Sequence, residues 1–388
     1  MRSRARREAI PYDPSMTAPT ATHSDPSAGE VMPLHGIDHV ELYVGNAAQA
    51  AHFYTSVLGF REIAYAGLET GLRDRVSRVL EQGSIRLVLT SALVPGHPIG
   101  GHVSDHGDAV KVIALAVPDA DAAFAGAVQR GATCVRAPWE ESDRHGSVRQ
   151  ATVAAYGDVS HTFVARDAYQ GPFLPGFAAR AGTTTEVGLE AIDHVVGNVE
   201  LGRMEHWVRF YERVFGMTEL NRFTDEAIST EYSALMSKVV SDGSGRIKFP
   251  INEPAEGRRR SQVDEFLEFH GGPGVQHLAL TSGDIVRTVS LLQERGVSFL
   301  RTPDSYYDEL PGRVGDIDHS IADLRRLGIL ADRDEEGYLL QVFSRPVGDR
   351  PTLFVEVIER HGARGFGQGN FKALFEAIER EQDLRGNL

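Results

Sequence analysis

The feature that most narrows the possible folds of this chain is an internal repeat. The segment GIDHVELYVGNAAQAAHFYTSVLGF (36–60) returns as AIDHVVGNVELGRMEHWVRFYERVFGM (191–217). Both carry Ile-Asp-His-Val, with Asp38-His39-Val40 in one copy and Asp193-His194-Val195 in the other. Both then run into an amphipathic helix closed by a glycine, Gly59 and Gly216. Trp207, Phe210, Tyr211 and Val214 fall at i, i+3, i+4 and i+7, which predicts a stripe packed on a core.

A second pair of segments, 110–138 and 275–303, aligns without a gap. Each reads as an apolar strand, an acid at a helix start (Asp119, Asp284), a helix, a glycine stop (Gly131, Gly296) and a strand. Later, SHTFVAR (160–166) stands where TLFVEVIER (352–360) stands. A strand–helix–strands unit therefore occurs twice within each half. The pattern predicts an α+β fold of two homologous halves, with sheets curled around a concavity.

The repeat sets the expected boundaries. The first half covers 34–166 and the second 190–388, joined by a linker over 167–189 in which Gly171, Pro172, Pro175 and Gly176 precede AARAGTTTEVG. Residues 1–33 hold Arg2, Arg4, Arg6 and Arg7, then a Pro/Ser/Thr/Ala-rich stretch without apolar periodicity. No apolar run follows those arginines, and Glu8 and Asp13 sit among them, so a targeting peptide is disfavoured. A disordered tail is expected, with Met16 as an alternative start.

Composition excludes several function classes. With 40 Lys+Arg against 54 Asp+Glu, the net charge of −14 argues against a nucleic-acid footprint. No stretch approaches the ~18 consecutive apolar residues of a membrane helix. The single cysteine, Cys134, cannot form an intrachain disulfide or a multi-thiolate metal site. A metal would have to be held by histidine and carboxylate, and a cytoplasmic location is expected.

The halves differ in what their strands carry. His194 aligns with His39, His277 with Val112, and Glu356 with Ala165. Any one histidine on a strand is more often a hydrogen-bonded structural residue than a ligand. Glu356, set in Leu353-Phe354-Val355-Glu356-Val357-Ile358, is harder to explain blandly. A buried carboxylate without a partner costs several kcal/mol or is neutralised by a pKa shift, whereas a cation keeps it ionised. Two imidazoles and one carboxylate from three strands make a facial triad with three cis positions open. That openness suits non-haem Fe(II), but zinc accepts the same donors, so the ligand set leaves both metals open.

The segments DHVVGNVELGRMEHWVRFY, EYSALMSKVV, IKFPINEPA, GPGVQHLAL, DEEGYLLQVFSRP and RPTLFVEVIERHGARGFGQGNFKALFEAIEREQ resemble the 4-hydroxyphenylpyruvate dioxygenases. The likeness spans about 36–388 and is densest from 191 onward. It implies the vicinal-oxygen-chelate (glyoxalase-like) fold, each half built of paired βαβββ modules. It implies that His194, His277 and Glu356 hold one Fe(II) per subunit and that the first half is a scaffold without metal. It assigns Ser237, Asn252, Gln276 and Gln341 to the polar surround of the substrate and Pro250 to its wall. Phe343, Phe354 and Phe371 would enclose the ring, and Phe366 and Asn370 belong to a C-terminal closing segment. The competing reading makes Pro250 and Asn252 turn residues and the phenylalanines plain core.

The reaction implied is conversion of 4-hydroxyphenylpyruvate and O₂ to homogentisate and CO₂, in tyrosine catabolism, by an expected homodimer. Gly362, Gly365, Gly367 and Gly369 precede a helix over about 370–384 with Phe371, Leu374, Phe375 and Ile378 at helical spacing, which reads as a lid or as a static cover. GFGQG is not a dinucleotide fingerprint, because it departs from G-x-G-x-x-G and no strand follows. The rivals are a 4-hydroxymandelate synthase acting at the benzylic carbon, an extradiol ring-cleaving dioxygenase, and a non-catalytic ligand-binding relative.

Overall fold

The computed structural model describes residues 31–183, 185–223, 234–255 and 260–386. The expected tail lies outside the described residues except for its last three, as does the alternative start at Met16.

The first sheet contains β1 (Gly36–Tyr43), β2 (Arg61–Ala66), β3 (Arg75–Gln82), β4 (Ile85–Ala92) and β5 (Ala109–Ala116). It is completed by β6 (Cys134–Asp143), β7 (Gly146–Ala154), β8 (Ser160–Ala165) and β9 (Ala178–Ala179). The second contains β10 (Leu189–Asn198), β11 (Thr218–Phe223), β12 (Ala234–Ser241) and β13 (Lys248–Ala255). Its other module supplies β14 (Gly274–Ser282), β15 (Leu330–Arg333), β16 (Tyr338–Phe343) and β17 (Phe354–His361). The strand orders are β6-β7-β8-β5-β1-β4-β3-β2-β9 and β11-β12-β13-β10-β14-β17-β16-β15. Read from opposite ends the two orders coincide strand for strand, apart from β9. That small strand comes from the stretch read as a linker, and it pairs with β2 through Ala64↔Ala179.

Each half joins two modules at an antiparallel central pair, β1–β5 and β10–β14, flanked by parallel pairs. Of these, β5 and β14 are buried on both faces along most of their length, which is why they read as apolar runs. The helices are α1 (Ala47–Ser56), α2 (Pro98–His106), α3 (Ala120–Gln129), α4 (Met204–Phe215) and α5 (Gln262–His270). They continue as α6 (Ile285–Glu294), α7 (Asp304–Val314), α8 (Ile321–Leu327) and α9 (Phe371–Leu384). Asp119 and Asp284 cap α3 and α6 by accepting from Ala122 N (3.0 Å) and Arg287 N (2.9 Å), as their spacing predicted. The α4 aromatics are packing: Phe210, Tyr211 and Val214 are buried, and the Tyr211 hydroxyl meets His161 Nε2 at 2.9 Å.

The ladders correct one correspondence drawn from sequence. Val112 pairs with Ser160 and His277 with Phe354, so the equivalent of Glu356 is Thr162 and not Ala165. The hydrophobic runs of β8 and β17 look alike at either offset, and only pairing to the neighbouring strand decides between them. The same register makes Arg166 the counterpart of Arg360.

Candidate metal centre

Three strands of the second sheet carry the three expected ligands to one point. A register irregularity between Ile192 and His194 interrupts β10 against β14, and its counterpart lies between Ile37 and His39 in β1. Such bulges re-aim the side chain that follows them. His194 Nε2 and His277 Nε2 each lie 3.2 Å from the same carboxylate oxygen, Glu356 Oε2. All three residues are buried, with Glu356 only 2% exposed.

Proton bookkeeping at this point calls for a cation. His194 Nδ1 lies 2.7 Å from Asp193 Oδ1, and His277 Nδ1 lies 2.9 Å from Gln276 Oε1. Both partners accept only, so each Nδ1 carries the proton and each neutral ring turns a lone pair toward Glu356. Three acceptors then face one another, and His277 Nε2 and Glu356 Oε1 are buried without any hydrogen-bond partner. A divalent ion between them would satisfy all three donor atoms. The other relief is a proton on the rings: burial would raise the Glu356 carboxyl, but protonated His194 and His277 would outweigh it and hold it at about 2. Burial would likewise lower His194, but Glu356 and Asp193 reverse the sign and raise it.

Behind His194, Asp193 accepts from Arg360 Nε (2.7 Å), Arg360 Nη2 (2.9 Å) and Lys248 Nζ (3.2 Å). This carboxylate is buried, which alone would raise it, yet His194 and Arg360 keep it well below the usual range. It fixes the tautomer and tilt of His194.

A narrow cavity of about 80 Å³ opens from the three ligands. Ser237, Pro250, Asn252, Gln276, Phe343, Phe354, Phe366 and Phe371 line it. Ser237 on β12 pairs directly with Asn252 on β13, whose Nδ2 donates to Asn198 Oδ1 at 3.2 Å. Phe354 stacks on His277 at 4.8 Å and 22°, while Phe366 meets His194 edge-on at 5.1 Å. The α9 residues Phe371, Leu374, Phe375 and Ile378 form the cover.

Two expected residues do not line the cavity. Gln341 is buried on the same face of β16 as Phe343, but the turn before α9 lies over it: a Cβ on Gly367 would sit 2.3 Å from Gln341 Nε2. Asn370 faces away from the cavity, its Oδ1 lying 2.6 Å from the Tyr306 hydroxyl and 3.3 Å from Arg313 Nη2. It anchors the start of α9. Sequence reading missed Gln262, at the first position of α5, which lines the cavity and meets Gln276 Nε2 at 3.5 Å. Its only signal was the capping box Ser261/Asp264, which marks a helix start and no chemistry.

The first half keeps the frame and lacks the ligands. Asp38 contacts His39 Nδ1 at 2.5 Å and pairs with Arg166, and Phe173 meets His39 edge-on at 5.1 Å, as Phe366 meets His194. At the ligand positions stand His39, Val112 and Thr162.

The model of the Glyoxalase/Bleomycin resistance protein/Dioxygenase superfamily matches residues 36–152 and 191–342. A 4-hydroxyphenylpyruvate dioxygenase from Caenorhabditis briggsae is 46% identical over 368 residues, covering 92% of this chain and 94% of the relative. One from Yarrowia lipolytica is 44% identical over 368 residues, covering 91% and 93%. The chain belongs to the 4-hydroxyphenylpyruvate dioxygenase family. Among solved structures, a triple mutant of 4-hydroxymandelate synthase from Streptomyces coelicolor superposes with a TM-score of 0.82 at 40% identity, covering 90% of this chain and all of that one. No helix among the described residues is long and apolar enough to cross a membrane.

Proposed function

We propose that this dioxygenase uses His194, His277 and Glu356 to hold Fe(II) and converts 4-hydroxyphenylpyruvate and O₂ to homogentisate and CO₂. The observation that carries the reading is the convergence of two imidazole lone pairs on one buried carboxylate oxygen, at the floor of an aromatic-walled cavity. When bound, the metal supplies an electron source and a template for a 2-oxo acid and O₂ at its open positions. The chain's own residues do the rest. Asp193 and Gln276 hold the two imidazoles in their metal-binding tautomers. Phe343, Phe354 and Phe371 give a phenyl ring apolar faces and keep water from the reacting centre. Ser237 and Asn252 are the polar pair on the opposite wall, suited to a phenol hydroxyl. Phe366 and α9 close the cavity, which makes the helix the natural entry point.

Ring hydroxylation with side-chain migration is separated from benzylic hydroxylation by the product. Incubating Fe(II)-loaded protein with 4-hydroxyphenylpyruvate, in an oxygen electrode with chromatography of the products, should give homogentisate with O₂ uptake. Hydroxymandelate as the main product would replace the proposal with the synthase reading. No O₂ uptake with bound iron would refute both.

A further inference from the structure

A second set of potential ligands lies in the first half, away from the centre above. His102 and His106 stand four residues apart on one face of α2, and Asp158 occupies the turn between β7 and β8. One donor atom from each residue lies within 4.8 Å of the other two. The turn is held in place: a Cβ on Gly157 would sit 2.3 Å from Pro273 O, and Lys111 Nζ donates to the Asp158 carbonyl.

The hydrogen bonds here leave the same kind of shortfall as at the first centre. His106 Nδ1 lies 2.6 Å from the carbonyl of His270, so it must donate. In the neutral ring, Nε2 is then a lone pair, 2.9 Å from Asp158 Oδ2, another acceptor. His102, 8% exposed and 4.6 Å from the His106 ring, has its Nδ1 buried without a partner. At His319–Glu359–His361 the His319 Nδ1 is likewise buried without a partner, but the carboxylate there already accepts from the backbone Ile285 N at 2.6 Å and meets His361 Nε2 at 2.5 Å.

We propose that His102, His106 and Asp158 form a second divalent-metal site of the zinc class, independent of the dioxygenase chemistry. Two imidazoles and one carboxylate favour Zn(II), Co(II) or Ni(II) over Mg(II) and Ca(II), which prefer all-oxygen shells. The Asp158 side chain is 61% exposed, so an ion enters from solvent without unfolding. The site is structural. It ties α2 to the β7–β8 turn, and through the His106–His270 bond it ties both to the end of α5 in the second half.

The test uses full-length protein stripped of metal and dialysed against Zn(II), with metal counted by mass spectrometry. Parallel samples with Co(II) are read by visible absorption. Wild type should bind about two equivalents and Glu356→Ala about one. Adding Asp158→Asn or His102→Ala to that background should weaken the remaining site by at least ~10-fold. Either substitution alone in wild type should leave O₂ uptake with 4-hydroxyphenylpyruvate intact. Asp158→Asn is exposed and nearly isosteric, so it tests the site even if His102→Ala fails to fold. The proposal is overturned if Glu356→Ala binds no zinc, or if its remaining equivalent is unchanged by both substitutions.

Discussion

Removing the Glu356 carboxylate tests the metal centre most directly. In Glu356→Ala the one carboxylate of the proposed triad disappears, while His194 Nε2 and His277 Nε2 keep their positions through Asp193 and Gln276. Deleting one partner of a buried ionic contact costs about 3–5 kcal/mol. At 1.4 kcal/mol per tenfold, that is a loss of ~10²–10³-fold or more in metal affinity. Oxygen uptake with 4-hydroxyphenylpyruvate and micromolar iron should therefore vanish. Metal-free stability should change little, because the substitution also removes a buried carboxylate with one oxygen unpartnered. The assays are iron binding by equilibrium dialysis, oxygen-electrode turnover and thermal unfolding of the metal-free protein. Wild-type affinity in Glu356→Ala would refute the reasoning, since the carboxylate would then not be a ligand.

Three further outcomes are expected. Asp193→Asn, which weakens the hold on His194 while leaving all three ligands present, should lower iron affinity ~10–100-fold; an unchanged dissociation constant would show that Asp193 serves only Arg360 and Lys248. Asp38 is buried, which alone would raise it, but His39, Arg166 and Arg86 bring it from 3.8 down to about 2. A depressed carboxylate stabilises the fold above its unfolded value and loses that effect as pH falls toward the folded one, so Asp38→Asn should cost about 2 kcal/mol at pH 7, and the difference should shrink between about pH 4 and pH 2 in denaturant titrations; a gap independent of pH would refute it. Val112→His with Thr162→Glu should create a third cobalt-binding position in the first half, because the Asp38–His39–Arg166 frame is already there; the same pair with Ala165→Glu in place of Thr162→Glu should not, and equal binding by both would contradict the strand register.

The family resemblance and the composition of the strands made most of the site legible before any coordinates. A carboxylate inside Leu353–Ile358 and a histidine inside Val275–Leu280 stand out because burying them alone is costly. Ser237, Asn252 and Phe343 face the cavity from β12, β13 and β16, strands that carry none of the three ligating side chains, so only the family resemblance marks them in the sequence. Gln341 shares a face of β16 with Phe343, yet the turn at Gly367 covers it. Gln262 and Asn370 sit at helix starts, where no periodicity indicates direction, and their roles depend on what packs against them.

What this chain's sequence determines alone is its modular plan: a repeated βαβββ pattern must bury the same faces each time, so two curled sheets follow from the order of strands and helices. Tertiary structure decided the pairings. Thr162, rather than Ala165, takes the place of Glu356 in the first half because a parallel ladder sets the offset between β5 and β8. His102, His106 and Asp158, more than fifty residues apart at the extremes, meet only because α2 packs beside the β7–β8 turn. Local sequence carries propensities and faces; the distance between two remote side chains is set by how those faces pack.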